Sequence, residues 1–95
     1  MHFIYILFSK TTNKFYVGET DNIEIRLSKH NQHSYEGSFT KIAADWKVVL
    51  LFPCVSREQA IRLEKFIKNM KSKVFIQKLI INPEILKDII SKNKF

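Results

Sequence analysis

The chain has 95 residues, enough for one domain with a modest core but not for two domains. Its 16 lysines and arginines exceed its 9 aspartates and glutamates, and the formal net charge of +7 favours a polyanionic partner, although a lysine-rich surface can also serve solubility alone. The single cysteine, Cys54, excludes an internal disulfide and a Cys/His metal motif, so we expect a packed thiol and a reducing, cytoplasmic compartment.

The first predicted element is a pair of strands joined by a polar turn. Residues 3–8 form an uninterrupted apolar run rich in β-branched and aromatic side chains, the pattern of a central strand covered on both faces. This run is too short to cross a bilayer, so we expect no membrane association. The polar segment 9–14 and a second apolar run, 15–17, which Gly18 ends, predict an antiparallel hairpin.

A short helix is expected after the hairpin. Asp21 can cap it, and Glu24 three residues later completes a capping box, so the helix should cover residues 22–30. The two aliphatic residues on one face must point to the core, which brings Arg26 and His30 to the buried border of that face. At roughly 100° per residue, four side chains fall within one arc of about 100° around the helix axis: Ile23, Arg26, Leu27 and His30.

The helix and the hairpin together suggest an anion site. Arg26 would lie beside the strand residues Tyr5 and Tyr16, and Gly18 would let backbone or ligand come close. Phosphate is the anion that best suits a basic protein. Each residue also has a plain alternative, since strand tyrosines often belong to the core and an arginine beside a histidine often marks an amphipathic border.

A polar stretch at residues 31–45 separates this helix from a third strand. We expect a loop there, with a short helix at 39–44. Residues 46–52 predict the strand, which Pro53 should end. Five side chains of the loop would rim the same cleft and touch a nucleic-acid backbone, a solvated loop being the alternative: His33, Tyr35, Ser38, Thr40 and Lys41.

A second helix is expected from Ser56, which forms a capping box with Gln59, to about Met70. Glu64 lies at the edge of its apolar stripe and needs a partner there. That partner is either Lys68, four residues on, or a metal ion. The stripe itself consists of Ala60, Leu63, Ile67 and Met70.

The C-terminal part of the chain predicts a basic edge and two further helices. Lys68, Lys71 and Lys73 would contact phosphates or be solvated. Residues 74–81 predict one short helix, and Asn82 with Pro83 would cap and start an extra C-terminal helix at 83–92. Its apolar stripe should pack on the domain, a homodimer contact being the alternative: Ile85, Leu86, Ile89 and Ile90.

Together these residues resemble the GIY-YIG nuclease superfamily, in particular its small single-domain bacterial members. The resemblance is strongest over residues 3–80, and Phe3 replaces the glycine of the first motif. Pattern and resemblance predict an α/β (α+β) fold in one domain over residues 1–95, with a three-stranded antiparallel sheet, the first strand central, flanked by helices. The resemblance rests on Ile4, Tyr5, Tyr16, Val17, Gly18, Thr20, Arg26, His30, Asn31, Ser38, Phe39, Thr40, Asp45, Trp46 and residues 57–73.

The resemblance implies an endonuclease that depends on Mg²⁺ or Mn²⁺ and hydrolyses DNA phosphodiester bonds, directed by structure rather than sequence, in repair, recombination or processing. Glu64 matches the metal-ligand position, and Arg26 would fork onto the scissile phosphate. Whether Tyr5, Tyr16 or His30 takes the proton stays open.

The same resemblance and the basic charge predict a DNA-contacting surface around these residues. We expect a monomer. A catalytically idle nucleic-acid-binding module and an interaction domain working through the C-terminal helices are the alternatives. The expected DNA contacts are Gly18, Thr20, Arg26, His30, Thr40, Lys41, Lys68, Lys71 and Lys73.

Overall fold

A three-stranded antiparallel sheet forms the centre of the structure, a computed structural model that describes residues 1–32 and 43–95. The strand order is β2-β1-β3, which confirms the predicted α+β fold with the first strand central. None of the helices within these described ranges is long and apolar enough to span a membrane. In chain order the elements are β1 His2–Ser9, β2 Lys14–Thr20, α1 Ile23–Asn31, β3 Lys47–Cys54, α2 Arg57–Met70, α3 Lys73–Ile81 and α4 Glu84–Asn93.

The central strand β1 is covered on both faces, as its apolar run predicted. Ile4, Tyr5, Ile6 and Leu7 are all 0% exposed. Since side chains alternate along a strand, Ile4 and Ile6 join the core that α2, α3 and α4 cover, whereas Tyr5 and Leu7 join a second cluster beside α1. The two faces of the sheet therefore carry different helices, and the tyrosine face is the one that meets α1.

Helix α1 is capped by Asn22 rather than by the predicted Asp21. The side-chain oxygen of Asn22 accepts a hydrogen bond from the backbone N–H of Ile25 at 3.2 Å. Strand β2 continues to Thr20, whose hydroxyl accepts from the N–H of Asn22 at 3.1 Å. This turn leaves Asn22 with the extended backbone that an N-cap requires.

Strand β3 does not end at Pro53 as predicted but continues to Cys54. Pro53 is exposed and pairs with Phe3, and β3 is an edge strand of the described sheet. An edge strand tolerates proline because one side of its backbone needs no ladder hydrogen bond. Cys54 is buried, which confirms the predicted packed thiol, and burial raises the pKa of that thiol.

Two side chains tie the start of β3 to the rest of the molecule. Asn31 donates to the carbonyl of Trp46 at 2.9 Å and accepts from its N–H at 2.7 Å. Asp45 accepts from the Ser9 hydroxyl at 2.6 Å and from the N–H and hydroxyl of Thr11 at 3.0 and 2.8 Å. These hydrogen bonds lower the pKa of Asp45 to about 2. Both residues therefore have structural roles, which the sequence had not indicated.

The predicted helix at 39–44 lies almost wholly outside the described residues, and its last two positions, Ala43 and Ala44, are not helical. Helix α2 begins as predicted, because the Ser56 hydroxyl accepts from the N–H of Gln59 at 3.1 Å. The prediction that Met70 belongs to the buried stripe is wrong: it is 46% exposed, because α2 ends there and the chain turns at the left-handed Lys71.

The last helix packs on the domain, as predicted. Leu86 is 0% and Ile89 8% exposed, and both belong to the main core. This apolar stripe is therefore largely used inside the molecule rather than offered to a second copy. The predicted cap is wrong, because Pro83 occupies the N-cap position and makes no side-chain capping bond, and Asn82 ends α3 instead.

Candidate functional site

Strands β1 and β2 and helix α1 bring Tyr5, Tyr16 and His30 together. The Tyr5 hydroxyl oxygen and His30 Nε2 are 3.0 Å apart, a hydrogen bond in which the tautomer of the imidazole decides the donor. Tyr16 pairs with Leu7 across the hairpin and so shares the face of Tyr5. Its ring centroid is 6.2 Å from that of Tyr5 and 4.8 Å from that of His30. The three residues predicted as alternative bases thus form one contact cluster.

The three members of this cluster differ in access to solvent. Tyr5 is 0% and His30 2% exposed, whereas Tyr16 is only half-buried. A water molecule or a substrate can therefore reach the Tyr16 side chain, while Tyr5 and His30 lie behind it. Arg26 is half-buried, as its predicted place at the border of the core-facing side of α1 requires.

Gly18 makes room for Tyr5 rather than for a ligand. A Cβ atom at this position would lie 2.5 Å from Cζ and 2.9 Å from Cε1 of Tyr5. The tyrosine ring therefore occupies the space that the sequence suggested for a substrate. Thr20 is only 3% exposed, and its hydroxyl donates to the Asn22 carbonyl at 3.2 Å, so it organises the entry to α1 rather than facing DNA.

His30 is neutral near pH 7. Its burial, and to a smaller extent the positive charge of Arg26, lower its pKa from 6.5 to about 4. His30 therefore does not titrate near neutrality, because burial disfavours the imidazolium. The shift also shows that Arg26 lies close enough to His30 for their charges to interact.

The buried imidazole predicts a pH-dependent stability. Between pH 6.5 and about 4 the unfolded chain binds a proton at His30 that the folded chain does not, so the free energy of unfolding falls on acidification. We expect a loss of about 2 kcal/mol between pH 7 and pH 5, since one pKa unit corresponds to about 1.4 kcal/mol. Urea unfolding at both pH values would measure it. A His30→Gln variant should lose much less, and an unchanged slope in this variant would contradict the assignment.

Glu64 reaches the cluster through a lysine. Its side chain is 21% exposed, and its Oε2 lies 2.9 Å from Lys68 Nζ, so the predicted i,i+4 pair is present. Lys68 Nζ in turn lies 5.4 Å from the centroid of the Tyr16 ring. Helix α2, which covers the other face of the sheet, thus brings a carboxylate to the edge of β2 where Tyr16 emerges.

The donor set at Glu64 fits a hard divalent ion that keeps much of its water. Within the described part of the chain, no group of three or more His, Cys, Asp or Glu side chains could hold a metal ion. Among these residues, a metal ion at Glu64 would therefore not be held by a cluster of such side chains. A single carboxylate, completed by water and phosphate oxygens, is a usual way of binding Mg²⁺ together with a phosphate substrate.

Of the remaining predicted DNA contacts, two lie in described parts of the structure and the others do not. Lys71 and Lys73 are exposed at the end of α2 and the start of α3, close to the Tyr16 side of β2. Thr40 and Lys41 lie outside the described residues, as do His33, Tyr35 and Ser38.

A family model described as GIY-YIG catalytic domain matches residues 1–79 of the chain. The match includes the hairpin, α1 and α2 and ends within α3. Comparison with curated proteins and with solved structures gives no match.

Proposed function

Because the chain belongs to the GIY-YIG catalytic domain family, a family of nucleases, we propose that it is a divalent-metal-dependent DNA endonuclease. It would hydrolyse phosphodiester bonds and recognise the structure of DNA rather than its sequence, in repair, recombination or processing. The net charge of +7 suits a polyanionic substrate.

The convergence of two helices on Tyr16 carries this proposal. From α1, the His30 ring lies 4.8 Å from the Tyr16 ring, with Arg26 close enough to affect its charge. From α2, Lys68 lies over the same ring and holds Glu64 by an ion pair. Tyr16 thus contacts His30, the neighbour of Arg26, on one side and Lys68, the partner of Glu64, on the other. A guanidinium, a phenol and a carboxylate are groups that phosphodiester hydrolysis can use to bind phosphate, orient water and hold a metal ion.

We assign the contact with the attacking water to Tyr16. It is the accessible member of the cluster, whereas Tyr5 is enclosed and hydrogen-bonded to His30. Tyr5 and His30 would fix the position of the Tyr16 ring, and the Tyr16 hydroxyl oxygen would accept a hydrogen bond from the attacking water and so orient it. Arg26 would bind the scissile phosphate through two parallel N–H groups, which a lysine cannot do.

Glu64 would hold the divalent ion. When bound, Mg²⁺ or Mn²⁺ offsets the negative charge that develops on the phosphate and leaving oxygens. The ammonium group of Lys68 competes for the same carboxylate oxygen and would have to share it or move to the phosphate. This ion pair is also the observation that favours the alternative, a binding module without useful hydrolysis.

Cleavage of labelled single-stranded, duplex and branched DNA tests the proposal. We expect cutting with Mg²⁺ or Mn²⁺ and none with EDTA, because the cation offsets the negative charge of the transition state, and the Glu64 carboxylate without its ion would add to that charge. The same DNAs should be tested for binding by fluorescence anisotropy over a range of salt concentrations. Binding that weakens with salt, ignores the metal and leads to no cutting would establish the idle module instead.

A further inference from the structure

A cavity of about 590 Å³ lies beside Tyr16, between strand β2 and the junction of α2 with α3. We name it the β2–α3 cavity. One wall is formed by residues 13–17 of the hairpin and the other by the end of α2 and the first turn of α3. Its volume falls in the range of about 300 to 1,000 Å³ that is typical of small-ligand sites.

The β2–α3 cavity combines an apolar interior with a cationic rim. Phe15, Ile67 and Ile76 contribute apolar surface. Among the described residues that line it, none is acidic. A half-buried aromatic ring can stack on a nucleic-acid base, and ammonium groups bind phosphates. Four lysines lie around the opening: Lys14, Lys68, Lys71 and Lys73.

The two walls are joined by a hydrogen bond. Lys73 Nζ donates to the carbonyl oxygen of Asn13 at 3.0 Å and so links the hairpin turn to the start of α3. The same ammonium nitrogen lies 5.8 Å from the centroid of the Phe15 ring. The opposite wall turns at Lys71, which caps α2 with φ 49°. The hydrogen bond between Lys73 and Asn13 therefore holds the two walls of the cavity together.

The β2–α3 cavity is continuous with the candidate site. Tyr16 and Lys68 both line it. Lys68 also lies over the Tyr16 ring and forms the ion pair with Glu64. A nucleic-acid strand with its phosphate at Arg26 and Glu64 would therefore present a neighbouring nucleotide to the cavity. A base within an intact duplex is stacked on both sides and cannot enter a space between a strand and a helix, whereas an unpaired base can.

We propose that the β2–α3 cavity receives one unpaired nucleotide next to the scissile phosphate. Its base packs against Phe15 and Ile76, and its flanking phosphates bind Lys71 and Lys73. This inference rests on the proposed nuclease function and defines its substrate class as DNA with unpaired nucleotides at the cut, such as a flap, a fork or a single strand. A peptide strand pairing with the edge of β2 fits less well, because the cationic rim without a carboxylate favours a polyanion.

Binding of two DNAs without metal tests this proposal. Both carry a labelled flap, and they differ only in whether the unpaired nucleotide at the junction has its base or is abasic. With wild-type protein in EDTA, we expect the abasic DNA to bind about tenfold more weakly, the usual effect of losing one stacked base. Equal dissociation constants would overturn the proposal.

A pair of aromatic variants identifies the surface that binds the base. The rings of Phe8 and Phe15 are 4.9 Å apart, so Phe8→Leu and Phe15→Leu lose the same ring contact, but only Phe15 lines the cavity. We expect Phe15→Leu to bind intact and abasic DNA with nearly equal affinity, and Phe8→Leu to discriminate like wild type. Loss of discrimination in both variants, or in neither, would contradict the assignment.

A pair of lysine variants tests the phosphate contact. Lys71 and Lys94 both cap helices with left-handed backbone, at φ 49° and 54°, so replacement by glycine relieves the same strain and removes the same charge. Only Lys71 lines the β2–α3 cavity. We expect Lys71→Gly to weaken binding of the flap DNA several-fold more than Lys94→Gly, with a smaller salt dependence. If the two variants bind the flap DNA equally weakly, the lysines act only through the overall charge of the protein, and the contact between Lys71 and a phosphate is contradicted.

The binding test and the cleavage test can fail separately. Base-dependent binding without cleavage under any metal would leave the cavity as a nucleotide site and remove the nuclease function. Metal-dependent cleavage with equal binding of intact and abasic DNA would leave the nuclease and remove the nucleotide site.

Discussion

Replacing Glu64 with glutamine is expected to lower the rate of Mg²⁺-dependent DNA cleavage about 1,000-fold, since metal stabilisation of the transition state is worth several kcal/mol and each factor of ten corresponds to about 1.4 kcal/mol. Glutamine keeps the shape of the side chain but loses the charge that holds the ion. Among the described residues, no group of three or more His, Cys, Asp or Glu side chains could hold a metal ion. We therefore expect no other cluster of side chains to replace the lost Glu64 ligand. Single-turnover cleavage of labelled flap DNA measures the effect.

Helix α2 offers a matched control for this substitution. Glu58 forms an i,i+4 ion pair with Arg62 at 2.7 Å, just as Glu64 pairs with Lys68 at 2.9 Å. Glu58→Gln therefore breaks an i,i+4 ion pair of the same kind, worth about 0.3 to 0.5 kcal/mol, at a more exposed carboxylate (74% against 21%). We expect Glu58→Gln to cleave like wild type, and both variants to unfold at nearly the wild-type temperature. Undiminished cleavage by Glu64→Gln would remove the metal from this residue.

Replacing Gly18 with alanine is expected to lower both stability and activity. The added Cβ would lie 2.5 Å from Cζ of Tyr5, and this ring is fully buried, so it cannot swing into solvent. Overpacking of this kind costs about 1 to 3 kcal/mol, occasionally more, and for a chain of this size it should lower the melting temperature by roughly 10 °C. Since Tyr5 must move relative to His30, we also expect slower cleavage.

A double-mutant cycle separates this clash from a general loss of stability. Tyr5→Leu alone leaves a cavity in the core and breaks the hydrogen bond to His30. In the Gly18→Ala background the same change removes the clash, so it should cost less than in wild type. Additive losses in thermal unfolding, or a Gly18→Ala protein as stable as wild type, would show that the Tyr5 ring does not require glycine there.

Local patterns in the sequence predicted the elements that hold the site. The apolar run of residues 3–8 gave the central strand, and the capping residue Ser56 gave the start of α2. These features depend on neighbours within a few positions. The placement of Arg26 at a half-buried border was also predictable, because helical periodicity fixes which side chains share a face.

The parts that the sequence could not predict depend on contacts between distant segments. The space beside Gly18 is occupied by the ring of Tyr5 because the two residues, 13 positions apart in the chain, pair across the hairpin. The pKa of His30 follows from burial beneath Tyr16, and Pro53 is compatible with β3 only because that strand lies at an edge. The β2–α3 cavity likewise forms only where the hairpin meets the α2–α3 junction.

The position of Pro53 also bears on how the protein resists aggregation. The edges of a small sheet can recruit strands from other molecules and start fibrils. Along β3, Pro53 lacks an N–H group to donate to an incoming strand, and Lys47 places a charge at the other end. Both features disfavour growth of the sheet on this side, so we expect concentrated solutions to remain free of cross-β assemblies that start from β3.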